Sequence, residues 1–482
     1  MKSQVLAAIR WTALAQIASQ AVSWVVTLVV IRLLAPSDYG LLAIATMFLG
    51  FLMMFADLGI AAALVQKDQI SREEIRHAFG LVIAIHVGLA ALLALAAPVI
   101  AAFFAEPSLR VVVPVLSLQL LVAAFGVIPE VLLQREMDFR RLAVVEMCTA
   151  VAGSLLTLLL ALAGAGVWAL VIGALTTLGV KVVGTNVLVG QWYRPAFSFA
   201  AGRALLASSA HAATSRIVWF IYNQADVFIA GKWLGSTTLG LYSVSMHLAS
   251  LPNQRISGLV NRVAFPAFSR IQGSAARVSS VVLLGVRTLS ILAFPVFWGL
   301  ASVAPELVHV LLGEQWHGAI TPLQIVSLIM PLRLVGNFVP NAVRGIGRFD
   351  VELASTVLSA TVMISAFLVG VNWGLIGLCL AWLAGSPLVF FWNMGRYAKA
   401  LETPRSHFFM AMFPSSLAAL LMALAVVAAR WTMTDWSPLG RLSCLIGLGA
   451  VTYVVLTLLL NRKGLDEARD LLRGIMRGSS TR

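Results

Sequence analysis

Charge is scarce in this chain. Only 11% of its 482 residues are Asp, Glu, Lys or Arg, where a soluble domain carries about a quarter, so it holds too little polar surface to cover a water-soluble fold of this size. Cysteine is nearly absent: Cys148, Cys379 and Cys444 all fall in apolar runs, and three thiols build neither a disulfide framework nor a spaced metal site. No G-x-x-x-x-G-K-[ST] occurs, which excludes a phosphate-cradling ATP loop on this chain. The seven histidines show no H-E-x-x-H or paired ligand spacing, and His86, His211 and His247 are read as packed or hydrogen-bonded side chains. Neither a metal nor a cofactor is expected. Ten-residue segments of alternating hydropathy are also missing, which argues against a transmembrane β-barrel.

Long apolar runs are what the sequence has in quantity. It is 60% hydrophobic with mean hydropathy +0.93, and runs of about 20 apolar residues, the length of a bilayer-crossing helix, recur from end to end. Fourteen are read, near 11–34, 40–65, 78–104, 110–134, 142–163, 166–189, 209–233, 238–262, 282–304, 320–343, 351–371, 373–395, 408–430 and 439–460. The expected fold class is all-α integral membrane. The first run is longer than a signal-peptide core and no A-x-A-like site closes it, so it is expected to stay as a helix.

The net charge of +14 has a membrane explanation. With the N-terminus inside, alternate connections carry 25 of the 34 Lys and Arg and the opposite side carries five, Arg32, Arg110, Lys232, Arg430 and Arg441. This asymmetry predicts a multi-pass protein with both termini cytoplasmic. The basic tail 461–482 spaces Leu465, Ala468, Leu472 and Ile475 for a helix lying on the inner leaflet or solvated beside it.

Two stretches, LLAPSDYGLLAIA (33–45) and WLGSTTLGLYSVS (233–245), match at an offset of 200, pairing Leu34 with Leu234 and Gly40 with Gly240. Further pairs follow in the same order: Glu106 with Glu314, Pro114 with Pro322, Gly166 with Gly374, and Pro129 with Pro340. They predict two pseudo-symmetric six-helix lobes, 1–195 and 205–400, related by an axis along the membrane normal, with two extra helices in 405–460.

Four cations remain inside predicted spans: Lys181, Arg216, Arg255 and Arg333. In the first helix Thr12, Gln16, Gln20, Ser23 and Thr27 form one polar stripe, which should face a bundle interior rather than lipid. The offset of 200 places Arg216 opposite Gln16, and Asn223 opposite Ser23. Counted from their span ends, Arg216 and Arg333 fall in the same layer, roughly 10 Å inside the cytoplasmic face. Arg333 follows Pro331, where a broken helix exposes backbone polar groups. Lys181 and Arg255 lie nearer the inner surface, which they can reach by extending along the helix; both are kept among the cavity candidates. Asp57 sits near that depth as a partner for a cation or as the cap of a helix break, and Asp226 lies on the same helix as Arg216. Paired guanidinium groups suit phosphate or pyrophosphate, so a binding cavity is expected from these residues.

The set YGLLAIA, DLGIAAALVQKDQIS, LLQREMDFRR, YRPAFSFA, NRVAFPAFSRIQ and LLGEQWHGAITPLQ resembles the Wzx-type flippases of the polysaccharide transporter family. Within it, the branch exporting colanic acid and related exopolysaccharides is the most similar. That family sits in the multidrug/oligosaccharidyl-lipid/polysaccharide exporter superfamily. The resemblance runs over about 10–400. It implies a two-lobed, alternating-access transporter, not an enzyme, in the bacterial inner membrane. Its cargo would be an undecaprenyl-pyrophosphate-linked oligosaccharide for exopolysaccharide or lipopolysaccharide synthesis, with a polysaccharide polymerase and export machinery as partners. Nucleic acid is not expected as a partner. The alternative is a drug or metabolite exporter of the same fold with ion coupling.

Overall fold

The structure, a computed structural model, describes residues 20, 22–56, 64, 65, 67, 69–135, 139–191, 193–197, 210–271, 275–462, 464–467 and 469. Among these, the side chains of 139, 140, 210–216, 254, 255, 257–271, 275 and 276 stand outside the description. Every regular element among the described residues is a helix. In chain order they are α1 (Val22–Leu33), α2 (Pro36–Ala56), α3 (Arg72–Phe104), α4 (Leu109–Arg135), α5 (Phe139–Leu162), α6 (Val167–Val189), α7 (Ala210–Ile271), α8 (Ala275–Leu307), α9 (Ile320–Gly345), α10 (Phe349–Gly370), α11 (Gly374–Ala400), α12 (Arg405–Trp431) and α13 (Pro438–Leu460). Ten helical stretches among the described residues are long and apolar enough to cross a membrane, and one of them, Phe349–Ala400, contains both α10 and α11. This is a multi-pass membrane protein.

The chain divides into two compact units, Met1–Gly240 and Leu241–Arg482. The division falls in α7 just after its bend at Gly235, whose φ of +78° and ψ of 171° no β-carbon-bearing residue adopts easily. The non-helical backbone at Gly235 separates two helical segments within α7, as the separate spans expected at 209–233 and 238–262 require.

In the first unit, small residues set the packing. A Cβ on Gly153 of α5 would stand 1.9 Å from Thr177 Oγ1 of α6, and one on Gly173 of α6 would stand 1.9 Å from Thr157 Oγ1 of α5. Each threonine turns its hydroxyl back onto its own helix, Thr157 to Gly153 O and Thr177 to Gly173 O at 2.8 Å, so the crossing closes with no stranded donor. α4 contains Pro129, which cannot donate to the Phe125 carbonyl one turn earlier. Asn186 of α6 supplies the missing donor, its Nδ2 reaching Phe125 O at 2.9 Å. α3 begins with a capping box: Glu74 N donates to Ser71 Oγ at 3.1 Å and Ser71 N to Glu74 Oε2 at 3.0 Å.

In the second unit, α12 and α13 are fastened to α8. The Glu306 side chain near the end of α8 is wholly buried, with Arg430 Nε of α12 at 2.8 Å and Arg441 Nε of α13 at 3.3 Å from its Oε1. Tyr453 of α13 donates its hydroxyl to Ile291 O of α8 at 2.8 Å, and Arg287 of α8 pairs with Glu467 beyond α13. Between the spans expected at 282–304 and 320–343 the connection is ordered: α8 runs to Leu307, a π-turn follows over Val308–Leu312 and a 3-10 turn over Glu314–Ala319. Trp316, fully buried, anchors that turn.

Two of the sequence-matched glycines share one backbone conformation. Gly166 before α6 has φ +56° and ψ −135°, and Gly374 at the start of α11 has φ +68° and ψ −150°. A side chain is strained in either place.

Candidate functional site

Arg333 lies on α9 two residues after Pro331, which opens the helix ladder at the Ser327 carbonyl. The neighbouring Leu328 carbonyl accepts the Trp298 indole N–H of α8 at 3.0 Å. The half-buried Arg333 guanidinium stacks 4.3 Å from the ring centroid of Trp382 on α11. That ring is held from two further sides. Its Nε1 donates to Tyr242 Oη at 2.7 Å, and Phe367 of α10 packs against it with centroids 5.0 Å apart. Trp382, Tyr242 and Phe367 are all buried.

The chemistry follows from the stacking. An indole face satisfies one face of a guanidinium without consuming any of its N–H donors. Among the described residues no carboxylate forms an ion pair with Arg333. The planar edge keeps its donors for a bidentate acceptor such as phosphate.

The other candidates have different surroundings. Lys181 of α6 pairs with Glu130 of α4, Nζ to Oε2 at 2.9 Å, with each side chain about one-third exposed. Its charge is therefore matched by a carboxylate on a neighbouring helix. Asn223 turns its amide onto Trp219 O of its own helix at 2.8 Å. Asp226 is 3% exposed and its Oδ1 accepts the Val227 N–H at 2.8 Å. Gln20 is half-buried in the first unit. From the same polar stripe, Ser23 accepts a hydrogen bond from Ser154 Oγ of α5 at 3.3 Å, so this part of the stripe meets a neighbouring helix. Arg216 and Arg255 lie within α7, but their side chains stand outside the described residues, as do Gln16 and Asp57 altogether.

Residues 29–321 match a family described as polysaccharide biosynthesis protein. The chain belongs to this family. It is 29% identical over 475 residues, 96% of this chain and 94% of the other, to the succinoglycan biosynthesis transport protein ExoT of Rhizobium meliloti (strain 1021). It is 25% identical to the lipopolysaccharide biosynthesis protein WzxC of Escherichia coli (strain K12), covering 80% of this chain and 78% of that one. A third relative is the teichuronic acid biosynthesis protein TuaB of Bacillus subtilis (strain 168), 24% identical over 84% of this chain and 85% of its own.

Among solved structures, the fold is that of the lipid II flippase MurJ in an inward closed conformation, with TM-score 0.71 and 12% identity over 93% of this chain and 99% of that one. An inward-facing multidrug MATE transporter of the MOP superfamily is less similar, with TM-score 0.59 and 15% identity over 79% of this chain and 96% of that one. This polysaccharide biosynthesis protein therefore shares its fold with a flippase and, less closely, with a multidrug transporter.

The Trp382 platform was not legible beforehand, since nothing in the spacing of the thirteen tryptophans marks it. Glu130 had a signal: it is a carboxylate inside the predicted span 110–134, directly after a proline.

Proposed function

We propose that this protein is a flippase and not an enzyme. It moves undecaprenyl-pyrophosphate-linked oligosaccharide repeat units from the cytoplasmic to the periplasmic leaflet of the bacterial inner membrane by alternating access. The product feeds exopolysaccharide or lipopolysaccharide synthesis, with a polymerase and export machinery downstream. The observation that carries the reading is Arg333: a membrane-span cation stacked on a fixed indole, with no carboxylate pair among the described residues. It is suited to the pyrophosphate of a lipid-linked cargo, and the polysaccharide-transport relatives support that cargo class. Arg216, Arg255, Gln16, Gln20, Asn223, Asp57 and Asp226 remain proposed contributors, and Lys181 contributes only if its pair with Glu130 opens.

The same proposal includes fourteen spans, lobes over 1–195 and 205–400, and cytoplasmic termini. It is supported by the bent α7, by the matched conformations of Gly166 and Gly374, and by the basic asymmetry. Export of a drug or metabolite is the second reading, which the MATE likeness favours more weakly.

Deletion should leave the lipid-linked repeat unit intact on the cytoplasmic leaflet and abolish polymer. Restoration by the wild-type gene and failure of Arg333→Gln at equal protein level are expected. Normal polymer from a deletion strain without a paralogue would reject the flippase reading.

A further inference from the structure

A basic pocket of about 360 Å³ lies in the second unit, where the turn before α10 meets the last turn of α11. Arg348, Val351, Arg396, Lys399 and Ala400 line it. Asp350 pairs with Arg348 through two bonds of 3.0 Å, which raises the Arg348 guanidinium further above its ordinary value and keeps it charged. Three cations less this one carboxylate leave a local charge of +2. Arg396 and Lys399 alone would be explained as cations favoured by a helix C-terminus. That account does not bring Arg348 of a different element into the same pocket.

What leads away from the pocket is apolar. On α10, Phe349, Leu353 and Val357 stand four residues apart and are 62%, 43% and 45% exposed. On α11, Leu388 and Trp392 are 58% and 60% exposed, and Trp392 precedes Arg396 by one turn. Each helix thus presents an apolar stripe with a cation at one end, an aromatic residue standing just before it. This is the profile of a bilayer's hydrocarbon, interface and headgroup layers in sequence. A soluble anion would need the cations and make no use of the stripes.

We propose that this pocket binds the phosphate headgroup of an anionic membrane phospholipid, whose acyl chains lie along the α10 and α11 stripes. The proposal rests on the chain being a membrane protein and is independent of what it transports.

Native mass spectrometry of the delipidated full-length protein would test it, with phosphatidylglycerol, cardiolipin, phosphatidylcholine, inorganic phosphate and undecaprenyl diphosphate titrated separately. Wild type should retain phosphatidylglycerol and cardiolipin over phosphatidylcholine and inorganic phosphate. Arg396→Gln/Lys399→Gln should lose roughly fivefold in retention per charge removed. Arg110→Gln, an exposed cation far along the chain, should retain both lipids as wild type does. Thermal unfolding without lipid should be the same in all three proteins, so that a folding defect is recognised; Arg348→Gln provides the second variant if the double one unfolds. Equal retention by wild type and the folded variants would overturn the proposal. Retention of undecaprenyl diphosphate alone would also overturn it and assign the pocket to the cargo. Neither result alters the flippase reading, which the polymer assay decides separately.

Discussion

Gly40 and Gly240 are reciprocal. A Cβ on Gly40 would stand 1.8 Å from Ser236 O, and a Cβ on Gly240 would stand 1.7 Å from Pro36 O. Each glycine thus presses on backbone four residues before the other, with the offset of 200 kept in both contacts. Backbone carbonyls cannot rotate aside as a side chain can, so Gly40→Ala or Gly240→Ala must push the two segments apart. Overpacking of this kind costs about 1–3 kcal/mol. A clear fall in the unfolding temperature of the detergent-purified protein is expected for each. A Gly88→Ala control, which meets nothing within 4 Å, should unfold as wild type does.

Trp382 should matter to Arg333 through its ring. Trp382→Phe keeps an aromatic face and loses only the 2.7 Å bond to Tyr242, whereas Trp382→Leu removes the face. Polymer export at matched protein level should therefore fall more for leucine than for phenylalanine. Arg333→Lys should rescue Arg333→Gln only in part, because an ammonium lacks the planar fork. Full export by both Arg333→Gln and Trp382→Leu would remove this pair from the binding site.

Glu130 and Lys181 should behave as a coupled pair. Either Glu130→Gln or Lys181→Gln alone leaves a charge in the membrane span without its partner. The double substitution should be less damaging than the sum of the singles, with a coupling of roughly 1 kcal/mol, reduced because both side chains are partly exposed. Simple additivity in thermal unfolding would show that the pair contributes nothing.

Much of this architecture was legible beforehand and some of it was not, for a physical reason. Apolar runs act within a few residues, so the helices and the low charge could be read along the chain. The α4–α6 pairing that brings Glu130 to Lys181 and the α9–α11 pairing that brings Trp382 to Arg333 are tertiary. No local periodicity encodes them. The burial of Glu306 is tertiary for the same reason: along the chain it is a charged residue just past the end of a span, and the arginines that match it lie more than a hundred positions later.

Glu306 itself yields a sharp expectation. Glu306→Gln would leave Arg430 and Arg441 without their shared anion; because both arginines are partly exposed, the cost should fall below the roughly 3–5 kcal/mol of a fully buried pair. Arg430→Gln should be milder, since Arg441 still reaches the carboxylate. Protein yield and thermal unfolding together would rank the two, and the opposite order would overturn the assignment of Glu306 as the shared anchor of α12 and α13.

The orientation can be measured directly. Single cysteines at 344–348 should resist an impermeant thiol reagent in intact cells, and those at the exposed positions 314, 315 and 317 should react. The reverse pattern would invert the topology.

Pro129 and Asn186 have a consequence for biogenesis. The Phe125 carbonyl that the proline leaves open is covered by a side chain made about sixty residues later (186 − 125). While the ribosome is still producing α5, α4 has an open acceptor that hydrocarbon cannot satisfy. Until α6 emerges, that acceptor is expected to be met by water or by a neighbouring helix, and the arrival of Asn186 then lets α4 and α6 settle into lipid as a pair.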